Sequence, residues 1–455
     1  MARIINVDDI IDEQKIGRLN IKLLIWLFLV IMLDGYDITV AAFAGPELIK
    51  TWGVARADLG PMLSASLFGI LVGSFIFGYM GDRFGRKAGT ILSCFTFGIF
   101  TLAAAWSTNL TELFILRLLA GVGIGGIFPN AVALSAEYAP KRLRATMIIL
   151  MFTGNTIGAA LPGLVSMTLV PVYGFEALFI VGGVAPLVLT ACLFFALPES
   201  IKFLALDERR KAQTREMLQR LVPNFVFTHD DRFVTNDAPG GKSRLKQLFE
   251  GRFALATPLL WLLFALNLMI FFFINSWMPT LAAAANMPAS TGVLALTVFL
   301  AGGTCGGLAL SRLVDKHGLA PVCVMFVVAI PIVGSLGYIT IAAPDLLLAA
   351  SFVAGFCVLG LQFGLNATPG LIYPTSCRAN GAGWAFGVGR LGAVLGPIVG
   401  GILIGMQLPI QTFYVVATVP LLAGAIACYI LDRIIKREHL KPLTPPVSVA
   451  QPQSE

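Results

Sequence analysis

The chain has 455 residues, 57% of them hydrophobic and only 13% charged, where an average soluble chain is about 25% charged. That balance excludes an ordinary soluble protein and predicts a polytopic membrane protein, helical because its apolar runs are long rather than alternating. The formal net charge of +7 is not a nucleic-acid signal, because its placement along the chain explains it.

The first segment, 1–20, is polar and of mixed charge, with no small-residue cleavage pattern, so no signal peptide is expected. Twelve apolar spans follow, at Leu23–Phe43, Leu59–Met80, Ala88–Trp106, Leu113–Leu134, Ala145–Leu169, Phe175–Leu197, Phe253–Met278, Gly292–Leu310, Ala320–Ala342, Leu346–Leu365, Gly383–Ile404 and Thr412–Ile430. Each is near the ~20 residues that cross a bilayer as a helix. The expected fold is an all-α membrane protein with twelve transmembrane helices in two six-helix halves, 21–197 and 253–432. Of the 32 Lys and Arg, Lys50 and Arg56 fall outside and Arg117 and Arg390 within spans, which leaves 28 for the inner segments. This asymmetry predicts cytoplasmic termini in a cytoplasmic (inner) membrane.

Span 1 carries two acids, Asp34 and Asp37. They lie eleven and fourteen residues after Leu23, which puts both near mid-membrane at about 1.5 Å per residue. A carboxylate there costs at least ~2.5 kcal/mol. Three residues apart, the two are expected on one helix face, as a proton or ion relay or as a protonated helix–helix contact. After span 2 comes Gly78-Tyr-Met-Gly-Asp82-Arg83-Phe-Gly85-Arg86-Lys87. The small Gly78 predicts a close helix approach, and Asp82 is suited to cap span 3 and meet nearby Arg side chains. In span 4, Arg117 precedes Gly121, Gly123 and Gly126. The match to a dinucleotide fingerprint is rejected because no strand precedes it, and the glycines read as a packing face. Arg117 is near the outer side, where it either snorkels or functions. Span 4 ends with Glu137-Tyr138-Ala-Pro140.

The connection 198–252 is long, polar and basic, with a surface helix expected over Asp207–Leu221 and a Pro-Gly-Gly stretch at Pro239. In span 7, Asn267, Asn275, Trp277 and the run Phe271-Phe272-Phe273 are candidate cavity groups, as are Gln362 and Asn366 in span 10. Asp315 follows span 8, and Tyr373-Pro374-Thr-Ser-Cys-Arg378 follows span 10. Arg390 lies seven residues into span 11, about 10 Å deep by helix rise. An Arg at that depth needs a carboxylate or water, either a substrate carboxylate held by its planar fork or a permanent partner among Asp34 and Asp37. The tail, 433–455, is Pro-rich and expected to be disordered. No pair of the seven cysteines has a CxxC spacing, and neither a disulfide nor a metal site is expected. The three histidines fall in connecting or terminal segments and read as solvated.

The halves repeat weakly. Asp82 matches Asp315 at an offset of 233, and Tyr138 matches Tyr373 at 235. At these offsets Asn155 is the counterpart of Arg390, and Asn267 that of Asp34. Six plus six spans, with a site near the midplane between them, is a transporter layout. The Gly78–Lys87 loop resembles the signature of the major facilitator superfamily, and Pro198-Glu199-Ser200 and Arg117–Gly126 are similar to further superfamily marks. Asp34-Gly-Tyr-Asp37 resembles the span-1 motif of its aromatic acid:proton symporter family. The likeness runs from about Asp34 to Gly401.

This resemblance implies proton-coupled import of benzoate, hydroxybenzoate or protocatechuate-type acids. The alternative is another organic acid, such as a dicarboxylate or muconate. It implies no cofactor, no enzyme activity and a monomer whose partners are the small aromatic acid, protons and the lipid bilayer. Asp34 and Asp37 would couple protons. Arg390, Arg117, Asn155, Asn267, Asn275, Gln362 and Asn366 would face the substrate. Gly78, Asp82, Arg83, Gly85, Arg86, Glu137, Asp315 and Arg378 would gate, with the first loop as a latch of the outward-open state.

Overall fold

The computed structural model describes residues 3–223, 225, 227–228, 231–235, 248–250, 253–373 and 375–439. Twelve helices are long and apolar enough to cross a membrane, as the apolar runs predict. They are spans 1 to 6 at Arg18–Trp52, Arg56–Phe84, Arg86–Ala104, Leu110–Tyr138, Lys141–Thr168 and Glu176–Ala196. Spans 7 to 12 are Phe253–Ala284, Ser290–Val314, Ala320–Ala342, Pro344–Ile372, Gly381–Gly405 and Ile410–Lys436. Several run past their apolar cores. Span 1 continues through Pro46 and stops only where Gly53 takes a left-handed conformation, φ +63°, which glycine adopts at little cost. Span 4 breaks at Gly126, between Leu110–Gly125 and Ile127–Tyr138.

The packing repeats with the sequence. Spans 1 and 5 pack as spans 7 and 11 do, and spans 2 and 4 as spans 8 and 10 do. Gly73 of span 2 lies so near span 4 that a Cβ would run into the Val122 carbonyl. Gly306 of span 8, 233 residues on, meets the Phe356 carbonyl of span 10 in the same way. Gly78 corrects an expectation here, since a Cβ on it would meet nothing within 4 Å. The close approach belongs to Gly73, about a turn earlier.

The two halves meet from mid-bundle to the end opposite the basic loops. Ser64 Oγ of span 2 donates to the Val394 carbonyl of span 11 at 2.8 Å. Gly60 lies against Pro397 and Gly401, and Gly45 against Thr280.

At the basic end the first residues form structure that the sequence did not announce. Strand β1 (Ile4–Asn6) pairs in parallel with β2 (Arg232–Val234) of the 198–252 connection. Arg3 clasps Asp231 with two hydrogen bonds, 3.0 and 2.9 Å, and Thr228 donates to the same carboxylate from backbone and side chain, both at 2.6 Å. Helix α1 (Val7–Glu13) follows. Lys202 then pairs with Asp8, and Arg144 with Asp12, each at 2.7 Å. The surface helix of the connection covers Lys211–Leu221, shorter than expected because Glu208–Arg210 is a 3-10 turn. The tail expected to be disordered from 433 is helical through His439, and its remainder, like the Pro-Gly-Gly stretch, lies outside the described residues.

Candidate functional site

Asp34 and Asp37 both sit in span 1, yet they serve different surroundings. Three residues turn a helix by about 300°, so the two carboxyls diverge enough to meet different neighbours. Asp37 is fully buried inside the N-terminal half. It accepts from Ser66 Oγ of span 2 at 3.1 Å and from Thr101 Oγ1 of span 3 at 3.2 Å. Arg117 of span 4 forms an ion pair with its carboxylate and donates again to the Asp37 carbonyl at 3.0 Å. Phe179 of span 6 lies beneath the guanidinium, 6.0 Å from ring centroid to Cζ, within cation–π reach. Five helices, spans 1, 2, 3, 4 and 6, therefore meet at one sealed pair.

That burial corrects one expectation for Arg117: it does not snorkel, being 1% exposed. Its hydrogen bonds go to Asp37.

Asp34 looks the other way. It accepts from Asn155 Nδ2 of span 5 at 3.0 Å. Arg390 reaches across the interface from span 11, donating to the Ile70 carbonyl of span 2 at 3.0 Å. Among the described residues it makes no ion pair. The permanent partner considered for Arg390 is thus absent here, and Arg117 is the arginine that holds a span-1 acid.

In the C-terminal half, Asn267 Nδ2 donates to Gln362 Oε1 at 2.9 Å, and Gln362 Nε2 donates to Asn366 Oδ1 at 3.0 Å. Asn275 is fully buried with neither amide atom paired. Trp277 donates to the Pro397 carbonyl at 3.0 Å, which locks it to span 11. Phe271, Phe272 and Phe273 are buried rather than lipid-facing. Phe271 stacks on Phe299 at 6.2 Å and Phe273 on Phe413 at 4.3 Å.

Among the described residues, the Gly78–Lys87 loop is tied to the N-terminal half and to the start of the connection. Arg86 pairs with Asp82 and stands 3.9 Å from Glu137, while Glu137 accepts from the Ser200 hydroxyl. Arg83 is exposed and donates to the Tyr79 hydroxyl at 2.7 Å. Asp82 does not cap span 3. That role falls to Glu199, which accepts from Lys87 N at 3.0 Å and from Ser200 N at 2.8 Å. Gly85, at φ +105°, lets the chain pass under the Glu199 carboxylate, which a Cβ would strike. Its acid was in view in Pro198-Glu199-Ser200, but its partner loop is over a hundred residues away. The side chains of Asp315 and Arg378 lie outside the described residues.

Comparison with known proteins identifies the family. The model of the Major Facilitator Superfamily matches residues 27–367 and 260–453. The 4-hydroxybenzoate transporter PcaK of Acinetobacter baylyi is 34% identical over 92% of this chain and 93% of its own length. A gallate transporter of Pseudomonas putida is 33% identical over 93% and 94%. The benzoate transport protein of Acinetobacter baylyi is 31% identical over 97% and 96%. Among solved structures, a bacterial homologue of the lysosomal transporter Spinster, inward-facing, superposes with a TM-score of 0.71 at 16% identity, covering 94% of this chain and all (100%) of that one. The xylose transporter XylE of Escherichia coli, partially occluded and inward-open, gives 0.70 at 16% identity, covering 91% and 98%. These last two support the fold alone. The chain belongs to the major facilitator superfamily of membrane transporters and, within it, to the family of aromatic acid transporters that the Asp34–Asp37 motif implied.

Proposed function

We propose that this chain imports aromatic carboxylates with protons across the cytoplasmic membrane by alternating access, as a monomer with both termini inside. The observation that carries the reading is Arg390. It is a guanidinium at the seam of the two halves, bonded to a backbone carbonyl, with no ion pair among the described residues. A planar guanidinium in such a place takes a carboxylate in two parallel hydrogen bonds. Asp34 then exchanges the proton. With the cavity empty, Arg390 balances the charge of Asp34. An arriving substrate carboxylate competes for the guanidinium, and Asp34 takes up a proton in its place. The two ligands are coupled through one shared charge, and that coupling is reciprocal in binding.

Asp37 plays a different part. Its four donor contacts, from Ser66, Thr101 and twice from Arg117 if the backbone carbonyl is counted with the carboxylate, make it the anchor that holds span 1 against spans 2, 3 and 4. The loop around Asp82, Arg83 and Arg86, with Glu137 and Glu199, forms the gate at the basic end. Gly78 has open space before it in this conformation and is free to meet a helix of the other half when that end closes. Asp315 is the counterpart of Asp82 in the second half by the 233-residue repeat, and Arg378, after span 10, belongs to the second gate.

The test is uptake of a labelled panel of aromatic acids into proteoliposomes, with and without a pH gradient. Accumulation of at least one aromatic monocarboxylate supports the reading. Accumulation of aliphatic diacids alone sinks it.

A further inference from the structure

The C-terminal half carries a ladder of side-chain amides that does not close on itself. It runs from Asn366, which is exposed, through Gln362 to Asn267, which is fully buried. Each rung donates outward, so the ladder ends on the Asn267 carbonyl Oδ1, and that atom has no partner. A buried carbonyl with no donor gives up its hydration without return. Its place inside the bundle points to a ligand that supplies the missing donor.

The depth of the ladder fits such a ligand. Gly389 packs against Phe264 and Leu268 of span 7, and Gly392 against the Ala265 backbone. Arg390 therefore sits at the level of Asn267 on the neighbouring helix. One turn further along span 7, Phe271 stacks on Phe299 and adds an aromatic wall. Arg390 and Asn267 are carried at one level by neighbouring helices, and Phe271 lies one turn beyond.

We propose that the Asn267–Gln362–Asn366 ladder takes a ring hydroxyl of the aromatic acid whose carboxylate Arg390 holds, so that hydroxylated acids are selected over unsubstituted ones. This rests on the reading that the chain carries aromatic acids. A phenolic hydroxyl donates to Asn267 Oδ1 and accepts from a Gln362 amide hydrogen, so it satisfies the ladder even where an amide is turned over. An unsubstituted ring leaves the acceptor bare. The names of the relatives span both kinds of acid, so kinship alone does not choose between them.

The experiment is equilibrium binding of benzoate, 3-hydroxybenzoate and 4-hydroxybenzoate to the purified full chain and to Asn267→Leu and Gln362→Met. Sites built to bond a hydroxyl discriminate strongly against analogues that lack it, so the wild type should favour one hydroxybenzoate over benzoate by about tenfold or more. Each variant should lose that preference, with the hydroxylated acid weakened about tenfold more than benzoate. Gln362 is only half-buried, so its variant keeps the test open where Asn267→Leu fails to fold. A folded variant with the wild-type preference, or one that weakens both acids equally, overturns the inference. So does a wild type that binds benzoate and hydroxybenzoates equally, with the transport reading left standing. A wild type that binds none of the three removes the aromatic-acid reading and this inference with it.

Discussion

Breaking the Asp37–Arg117 pair separates an anchoring role from a substrate-binding one. Both side chains are sealed, at 0% and 1% exposure. Removing one charge of such a pair leaves the other buried and uncompensated, at a cost of about 3–5 kcal/mol. Arg117→Met leaves the carboxylate with only the Ser66 and Thr101 hydroxyls. Asp37→Asn leaves the guanidinium over Phe179 with a neutral partner. The double variant removes both charges, and replacing a whole buried pair is often close to neutral. Each single variant should therefore melt well below the wild type, and the double variant should recover most of the loss. A coupling of about 3 kcal/mol is the upper end for groups in contact. The assay is the melting temperature of the purified protein in detergent, followed by tryptophan fluorescence. A double variant whose loss equals the sum of the two singles refutes the anchor. Arg117→Met that melts like the wild type but loses substrate affinity returns Arg117 to the binding site.

Arg390→Lys keeps the charge but loses the planar fork, so affinity for every carboxylate substrate should fall about tenfold; normal binding in that variant would demote Arg390 to a structural residue. Gly73→Ala drives a Cβ into the Val122 carbonyl, while Gly78→Ala meets open space. The first should lower the melting temperature, and the second should leave it alone but slow transport, with the reverse pattern counting against this packing. The clasp of Arg3 on Asp231 holds the aspartate well below the usual carboxylate range, first through the Arg3 side-chain hydrogen bond. A depressed folded value means that the contribution is complete above the ordinary value of 3.8 and fades as pH falls below it. Hydrogen exchange at Ile4–Asn6 should therefore stay slow from neutral pH down to the carboxylate range, and Asp231→Asn should lose that protection throughout; an unchanged profile in the variant would exclude the clasp.

The twelve spans were legible because length and apolarity alone specify a membrane helix. The internal repeat was legible too, and its offset of 233 reappears as the Gly73 and Gly306 contacts. That Asp34, Asp37, Arg117 and Arg390 lie within spans followed from the apolar runs. Their partners did not. Three residues along a helix looked like one face, but the resulting turn was enough to send Asp37 to Ser66, Thr101 and Arg117 and Asp34 to Asn155. Single hydroxyls such as Ser66 and Thr101 carry no sequence signal, because serine and threonine are common in apolar helices where they bond their own backbone. Gly78 carries the motif while Gly73 makes the close contact, because a motif marks a residue and not its neighbour. The pairing of Ile4–Asn6 with Arg232–Val234 joins two strands of three residues each, too short for any alternation to show.

The central claim is that Asp34 couples substrate to protons while Asp37 anchors span 1. It is tested most directly by uptake of one aromatic acid into proteoliposomes carrying the wild type or Asp34→Asn, under an imposed inside-alkaline gradient. The wild type should accumulate the acid and lose that accumulation when a protonophore is added. Asp34→Asn should fail to concentrate it, yet still exchange internal for external substrate. Accumulation by Asp34→Asn against a gradient, or wild-type uptake that follows sodium and ignores pH, would contradict the account.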